Sequence, residues 1–205
     1  MEAVIGINQR IPIPTLELAL KAVLEGRYDD SYATELARMD YNGENRIKKA
    51  KVIINKVTKL NPLMPYLIEN ADKVKLAMKN EDDKAMILIA LVNASYEFCY
   101  DVTSTLGKYF HAQKEIGTSL IVSKLSNKYG TNRSLPNGLY CILPMLIEAG
   151  FLLRPKAGVY QMRSLEPQTD IAKETYKRSF FQNNPMLTDS YRFENHFYFE
   201  FIENI

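Results

Sequence analysis

The chain has no tryptophan and only two cysteines and two histidines among its 205 residues. Two cysteines exclude a disulfide-rich scaffold. Cys99 and Cys141 have apolar neighbours and belong to no CxxC or Cys/His cluster, so we expect two buried thiols in a reducing compartment. His111 and His196 show no metal-ligand spacing. We therefore predict neither a bound metal nor a cofactor.

Catalytic motifs are also missing, because no GxSxG, HExxH, P-loop or GxGxxG pattern occurs. Three consecutive acids, Glu81, Asp82 and Asp83, could imitate a carboxylate cluster. Acids in the first turn stabilise a helix through its dipole, so we interpret them as a helix N-terminus. We predict a protein that is not an enzyme, and an enzyme with a dispersed site stays open as an alternative.

No hydrophobic run is long enough to span a membrane. The most apolar stretch, residues 86–92, is much shorter than the roughly 17–25 residues that a spanning helix needs. The first ten residues include Glu2 and no apolar run, so they do not form a secretory signal. We expect no membrane partner, and a cytoplasmic location follows by default.

Positive charge is concentrated in one region of the chain. The net charge of +2 alone predicts no partner, but residues 108–163 hold eight basic and two acidic side chains. Such segregation is typical of modules that bind anions.

The first 110 residues repeat apolar side chains at helical spacing, which predicts a helical bundle. The expected helices cover residues 16–24 (with Thr15 as N-cap), 30–39, 44–60, 63–69, 72–79 and, as one long helix, 82–110. Residues 166–205 are expected to form a C-terminal helix, over about 169–181, and an aromatic tail whose conformation the sequence leaves open.

Residues 111–165 have a different character. A helix over 118–129, a turn over 131–134, a second helix that Ser134 caps, and a β-hairpin over 151–162 follow one another. This order resembles a winged helix-turn-helix, whose second helix enters the major groove while basic wing residues contact phosphate. We predict a mainly α protein, a helical bundle followed by a winged-helix-like segment with a small β-hairpin.

Candidate nucleic-acid contacts follow from this resemblance and from charge. The exposed side of the second helix holds Asn137, Tyr140, Cys141 and Pro144 but no Arg or Lys, so phosphate contact is favoured over sequence reading. The candidates in this part are Lys124, Lys128, Arg133, Ser134, Asn137, Tyr140, Arg154, Lys156 and Arg163.

Two further surfaces have alternative interpretations. The 44–60 helix carries Lys48, Lys51 and Lys59, which form either a second phosphate-contacting face or an ordinary solvated face. The aromatic tail could stack bases, but packing onto the body or onto a partner chain is favoured.

The whole pattern resembles the BrxA family of BREX bacteriophage-defence systems. The resemblance covers roughly residues 15–160 and depends on the segments TLELALKAVLEG, NRIKKAKVIINKVTKLNP, KAMILIALVNASYEF and LPMLIEAGFL. It implies double-stranded-DNA binding inside a multi-protein system, with other defence proteins as possible partners. The leading hypothesis is a non-catalytic DNA-binding accessory protein, and the alternative is a protein-interaction adaptor with a degenerate winged helix.

Overall fold

The computed structural model describes residues 3–130, 133–187 and 192–205. Within these ranges the chain forms ten α-helices, two short 3₁₀ helices and a three-stranded antiparallel sheet, which confirms the predicted mainly helical fold. The α-helices are α1 (Ile13–Leu24), α2 (Asp30–Asp40), α3 (Glu44–Val57), α4 (Met64–Glu69), α5 (Ala71–Ala77), α6 (Glu81–Ser95), α7 (Glu97–Phe110), α8 (Thr118–Tyr129), α9 (Leu135–Glu148) and α10 (Asp170–Asn183).

The start of α1 differs from the expectation. The helix begins at Ile13, with Pro14 in its first turn, where a missing N–H costs no hydrogen bond. Thr15 therefore lies inside the helix, and its hydroxyl donates to the Asp40 carboxylate instead of capping. The prediction of Thr15 as N-cap is wrong.

The helix α6 is the centre of the bundle and is buried on nearly every side. Asn80 caps it, because its Oδ1 accepts from the backbone N–H groups of Asp82 and Asp83. The acidic cluster is thus a helix N-terminus. α6 packs against α1, α3, α7 and α10.

The single helix expected over 82–110 is two helices, α6 and α7. Tyr96 breaks it with extended backbone, φ −136° and ψ 108°. Contacts with residues outside the two helices stabilise the break. Tyr96 is buried with the Lys56 ammonium 4.1 Å from its ring centroid, and the Ser95 hydroxyl donates to the Lys56 carbonyl. Contacts with the end of α3 therefore override the local helical pattern.

The described residues between 97 and 162 follow the order of a winged helix-turn-helix, with the predicted helices α8 and α9 and the predicted hairpin. Three strands, β1 (Glu115–Gly117), β2 (Leu152–Lys156) and β3 (Val159–Met162), pair antiparallel in the order β1-β3-β2. β1 lies inside the expected part 111–165, although no strand was predicted there. α7, which was assigned to the bundle, packs against α8, α9 and β1 as well as against α6. The division expected at residue 111 falls in the connection between α7 and β1. Of the turn expected over 131–134, residues 133–134 are in a turn and residues 131–132 lie outside the described residues.

The C-terminal tail packs on its own chain. Two 3₁₀ helices, Phe193–Asn195 and Phe197–Phe199, lie beside α7 and α10, and Tyr198 stacks on Tyr176 with ring centroids 4.5 Å apart. Gly107 permits this contact, because a Cβ there would lie 1.9 Å from the Phe197 carbonyl oxygen. Packing, the favoured interpretation of the tail, is what the described part shows.

Within the described ranges, no helix combines the length and the apolar character that crossing a membrane requires.

Candidate nucleic-acid interface

The helix α9 presents one side to the core and the other to solvent. Its N-terminal half exposes Pro136, Asn137 and Tyr140, and the Tyr140 side chain is 80% exposed. Gly138 faces inward, where a Cβ would meet Ile5 and Phe98 at 2.6–2.7 Å, so the helix packs closely on α7 and on the N-terminal segment. This packing fixes which side of α9 is free.

One residue predicted on the exposed side is buried. Cys141 is only 3% exposed, and burial raises the pKa of its thiol to about 11. The prediction that Cys141 lies on the reading face is therefore wrong. The expected burial of both cysteines is confirmed, because Cys99 on α7 is also fully buried. Both cysteines are free thiols, as expected.

Four predicted cations of the winged-helix unit are exposed and unneutralised. Lys124, Arg133, Arg154 and Lys156 form no ion pair with any described residue. Arg133 lies two residues before the start of α9, whereas Arg154 and Lys156 lie on β2 of the hairpin. Their charge is thus available for an external anion.

Lys128 and Arg163, two other predicted contacts, are engaged inside the protein. Lys128 pairs with Glu97 at 2.7 Å and with Asp101 at 2.6 Å. Arg163 donates to Asp82 at 2.7 Å and to the Gly150 carbonyl at 2.5 Å. Their charge is neutralised or held in place, so we correct both residues from phosphate contacts to structural cations.

Two polar candidates lie at the start of α9. Ser134 occupies the position directly before the helix, but its side chain makes no capping hydrogen bond, so the prediction that it caps α9 is wrong. The Asn137 amide donates to the Asn8 carbonyl at 3.4 Å, so part of its hydrogen-bonding capacity is used within the chain.

The second predicted basic surface lies on α3 and on the turn that follows it, because α3 ends at Val57 and not at the expected residue 60. α3 packs against α1, α2 and α6. Lys48 and Lys59 are exposed, whereas Lys51 pairs with Asp30 at 2.9 Å. The hydrogen bond from Lys51 lowers the pKa of Asp30, and the charge of Lys59 adds to this effect. Lys51 is therefore corrected to a structural cation, and Lys48 and Lys59 remain candidates.

An apolar groove, which sequence reasoning missed, lies between α8, α9 and the hairpin. It has a volume of about 260 Å³, and Tyr140 and Arg154 are among its lining residues. Its apolar walls come from three elements, including Val122 of α8 and Ile147 of α9. One feature of the sequence could have indicated this groove. Tyr140 and Pro144 lie one helical turn apart on α9, whose other apolar residues are readily assigned to the core.

Metal-ligating side chains do not gather anywhere in the described parts of the chain, where no group of three or more His, Cys, Asp or Glu residues could hold an ion. His111 lies 3.1 Å from Glu200, and His196 accepts from the backbone N–H of Tyr198. Both histidines thus have partners in the tail packing.

The described residues between 97 and 162 have the element order and the sheet pairing of a winged helix-turn-helix, next to a helical bundle. Comparison of the chain with protein-family models, with curated proteins and with solved structures found no match. The fold and the surface of this unit are therefore what indicates a function.

Proposed function

We propose that the protein is a non-catalytic accessory protein that binds double-stranded DNA, mainly through the phosphate backbone. The observation that carries this proposal is the placement of the unneutralised cations. Arg133 precedes the exposed side of α9, and Arg154 and Lys156 lie on the adjacent hairpin. α9 would enter the major groove while these cations contact phosphates on its two sides.

The physical basis is counterion release. Each phosphate that a cation neutralises frees condensed counterions, so the logarithm of affinity falls with the logarithm of salt by about 0.9 per contact. Four cations, Lys124, Arg133, Arg154 and Lys156, give an expected slope of about −3 to −4. The resemblance to the BrxA family favours a setting in a prokaryotic phage-defence system, with other defence proteins as possible partners.

The test is fluorescence anisotropy with a labelled random-sequence duplex of about 30 base pairs, titrated at several salt concentrations. We expect binding at low salt with a slope of about −3 to −4. The variant Arg154→Glu/Lys156→Glu should weaken binding to all sequences and make the slope shallower. The variant Lys48→Glu/Lys59→Glu is the matched control, because it changes the net charge by the same amount on α3 and the turn after it.

Equal losses in both variants would mean that only net charge matters and would contradict the assignment of the hairpin. A larger loss in the α3 variant would move the interface to that helix.

A second candidate function, a protein-interaction adaptor, is favoured by the apolar groove and by the exposed Tyr140 ring. Surface apolar patches of this kind frequently mark protein contacts. A complex with a defence-system protein that survives high salt, together with no duplex binding at low salt, would select this function.

A further inference from the structure

The exposed side of α9 is poor in hydrogen-bonding groups. In the described chain between residues 136 and 147, its solvent-facing residues are Pro136, Asn137, Tyr140, Pro144 and Ile147, and none of them is charged. Asn137 already donates to Asn8. What this side offers to a ligand is mostly carbon, including the ring of Tyr140, which is 80% exposed.

The cations around the exposed side of α9 indicate which kind of ligand it can bind. Arg133 stands at one end of the side and Arg154 at the edge of the groove that Tyr140 lines, and neither has an ion-pair partner in the described chain. The acid at the far end of α9, Glu148, is neutralised by Arg10 at 2.9 Å. A carbon surface flanked by cations complements the major groove, whose floor carries base edges and whose walls carry phosphates.

The chemistry of the base edges then indicates which base the exposed side of α9 can recognise. Guanine is recognised through its O6 and N7 acceptors by Arg or Lys, and adenine is recognised by the amides of Asn or Gln. Thymine differs from every other base by its C5-methyl group, which is recognised by apolar contact. The exposed side of α9 lacks the cationic donors for guanine and has the apolar surface for thymine.

We propose that Tyr140 contacts thymine C5-methyl groups when α9 lies in the major groove, and that the protein therefore prefers thymine-containing sites. This inference rests on the proposed duplex binding. Burial of one methyl group against the ring increases affinity by about three- to four-fold. Two contacted methyls give a preference of roughly ten-fold.

The experiment uses two duplexes of the same A·T-rich sequence, one with thymine and one with uracil at every such position. The exchange keeps base pairing and phosphates and removes only the methyl groups. Affinities of the full chain for both duplexes are measured by anisotropy at one low salt concentration. The variants are Tyr140→Ala, Tyr140→Phe and, as a control at another exposed apolar residue, Leu60→Ala, which is 69% exposed after α3.

The expected result is a tighter complex with the thymine duplex, by about three- to ten-fold, for the wild type and for Leu60→Ala. Tyr140→Phe should keep the preference because it keeps the ring, and Tyr140→Ala should bind both duplexes equally. Because Tyr140 is 80% exposed, neither replacement should disturb folding.

Three results would overturn the inference. Equal affinity of the wild type for both duplexes, with a steep salt dependence, removes methyl recognition and leaves the proposed DNA binding intact. A preference that persists in Tyr140→Ala removes the assignment to this residue. No binding to either duplex at low salt removes both proposals together.

Discussion

Replacing Arg163 by alanine should lower stability and leave duplex affinity unchanged, although its charge and its position directly after the hairpin predict a phosphate contact. Its guanidinium donates to the Asp82 carboxylate at 2.7 Å and to the Gly150 carbonyl at 2.5 Å. The pair therefore joins the end of the winged-helix unit to the start of α6. Asp82 also accepts from the backbone N–H of Glu166 at 2.9 Å, so the same carboxylate holds the chain that follows.

The expected cost follows from the partial burial of the pair. The Arg163 and Asp82 side chains are 36% and 19% exposed. An exposed pair contributes about 0–1 kcal/mol, and removing one partner of a buried pair costs about 3–5 kcal/mol. The pair is of intermediate exposure, and Asp82 keeps its hydrogen bond from Glu166 in the variant. We therefore expect the free energy of unfolding to fall by about 2 kcal/mol. For a chain of this length that loss lowers the melting temperature by roughly 4–8 °C.

Urea and thermal unfolding, followed by circular dichroism, measure this loss, and anisotropy at fixed salt measures duplex affinity. The matched control is Arg154→Ala, an exposed arginine without an ion-pair partner in the described chain. Its stability should change by less than about 0.5 kcal/mol, while its salt slope becomes shallower by about 0.9. If Arg163→Ala weakened duplex binding with an unchanged unfolding midpoint, the division into structural and available cations would be refuted.

Three further predictions concern the packed parts of the chain. Gly107→Ala should cost at least about 1–3 kcal/mol and make the C-terminal tail sensitive to protease, because the new Cβ would lie 1.9 Å from the Phe197 carbonyl oxygen; an unchanged melting temperature would contradict the tail packing. Burial lowers the pKa of His196, so the unfolded chain binds a proton at this histidine more readily than the folded chain does. The free energy of unfolding should therefore fall as the pH falls below about 6.5. His196→Gln should flatten this loss between about pH 7 and 5.5, and an identical loss would refute the assignment. Burial raises the pKa of both the Cys99 and the Cys141 thiol, so a thiol reagent near pH 8 should react only after denaturation, and a thiol modified on mixing would be inconsistent with their burial.

Helices and the hairpin could be predicted because their apolar periodicity is local. α8 occupies the predicted residues 118–129. The hairpin strands lie at the two predicted apolar runs, but β2 continues to Lys156, so the turn expected over 155–158 is only residues 157–158. The break at Tyr96 could not be predicted, because no Gly or Pro marks it. It depends on contacts with Lys56 and Asn61, which are distant in sequence. The three-residue strand β1 was missed for the same reason, because it is stabilised by pairing with β3.

The candidate interface was predicted only in part. Charge alone identifies Arg154 and Lys156, which the structure leaves exposed, but it cannot separate them from cations that meet a distant acid. Lys128 meets Glu97 across 31 positions and Arg163 meets Asp82 across 81. Such pairings depend on how helices pack, and no spacing rule in the sequence encodes them. Burial of Cys141 likewise depends on the rotation of α9, which packing against Ile5 and Phe98 determines.

The most direct test of the proposed nucleic-acid interface is amide hydrogen exchange of the full chain, measured with and without a saturating duplex. The proposed interface predicts slower exchange at residues 133–140 and in the hairpin, residues 152–162, and unchanged exchange in α3. Slowing confined to α3, or no slowing anywhere in the described chain under conditions where binding is complete, would contradict it.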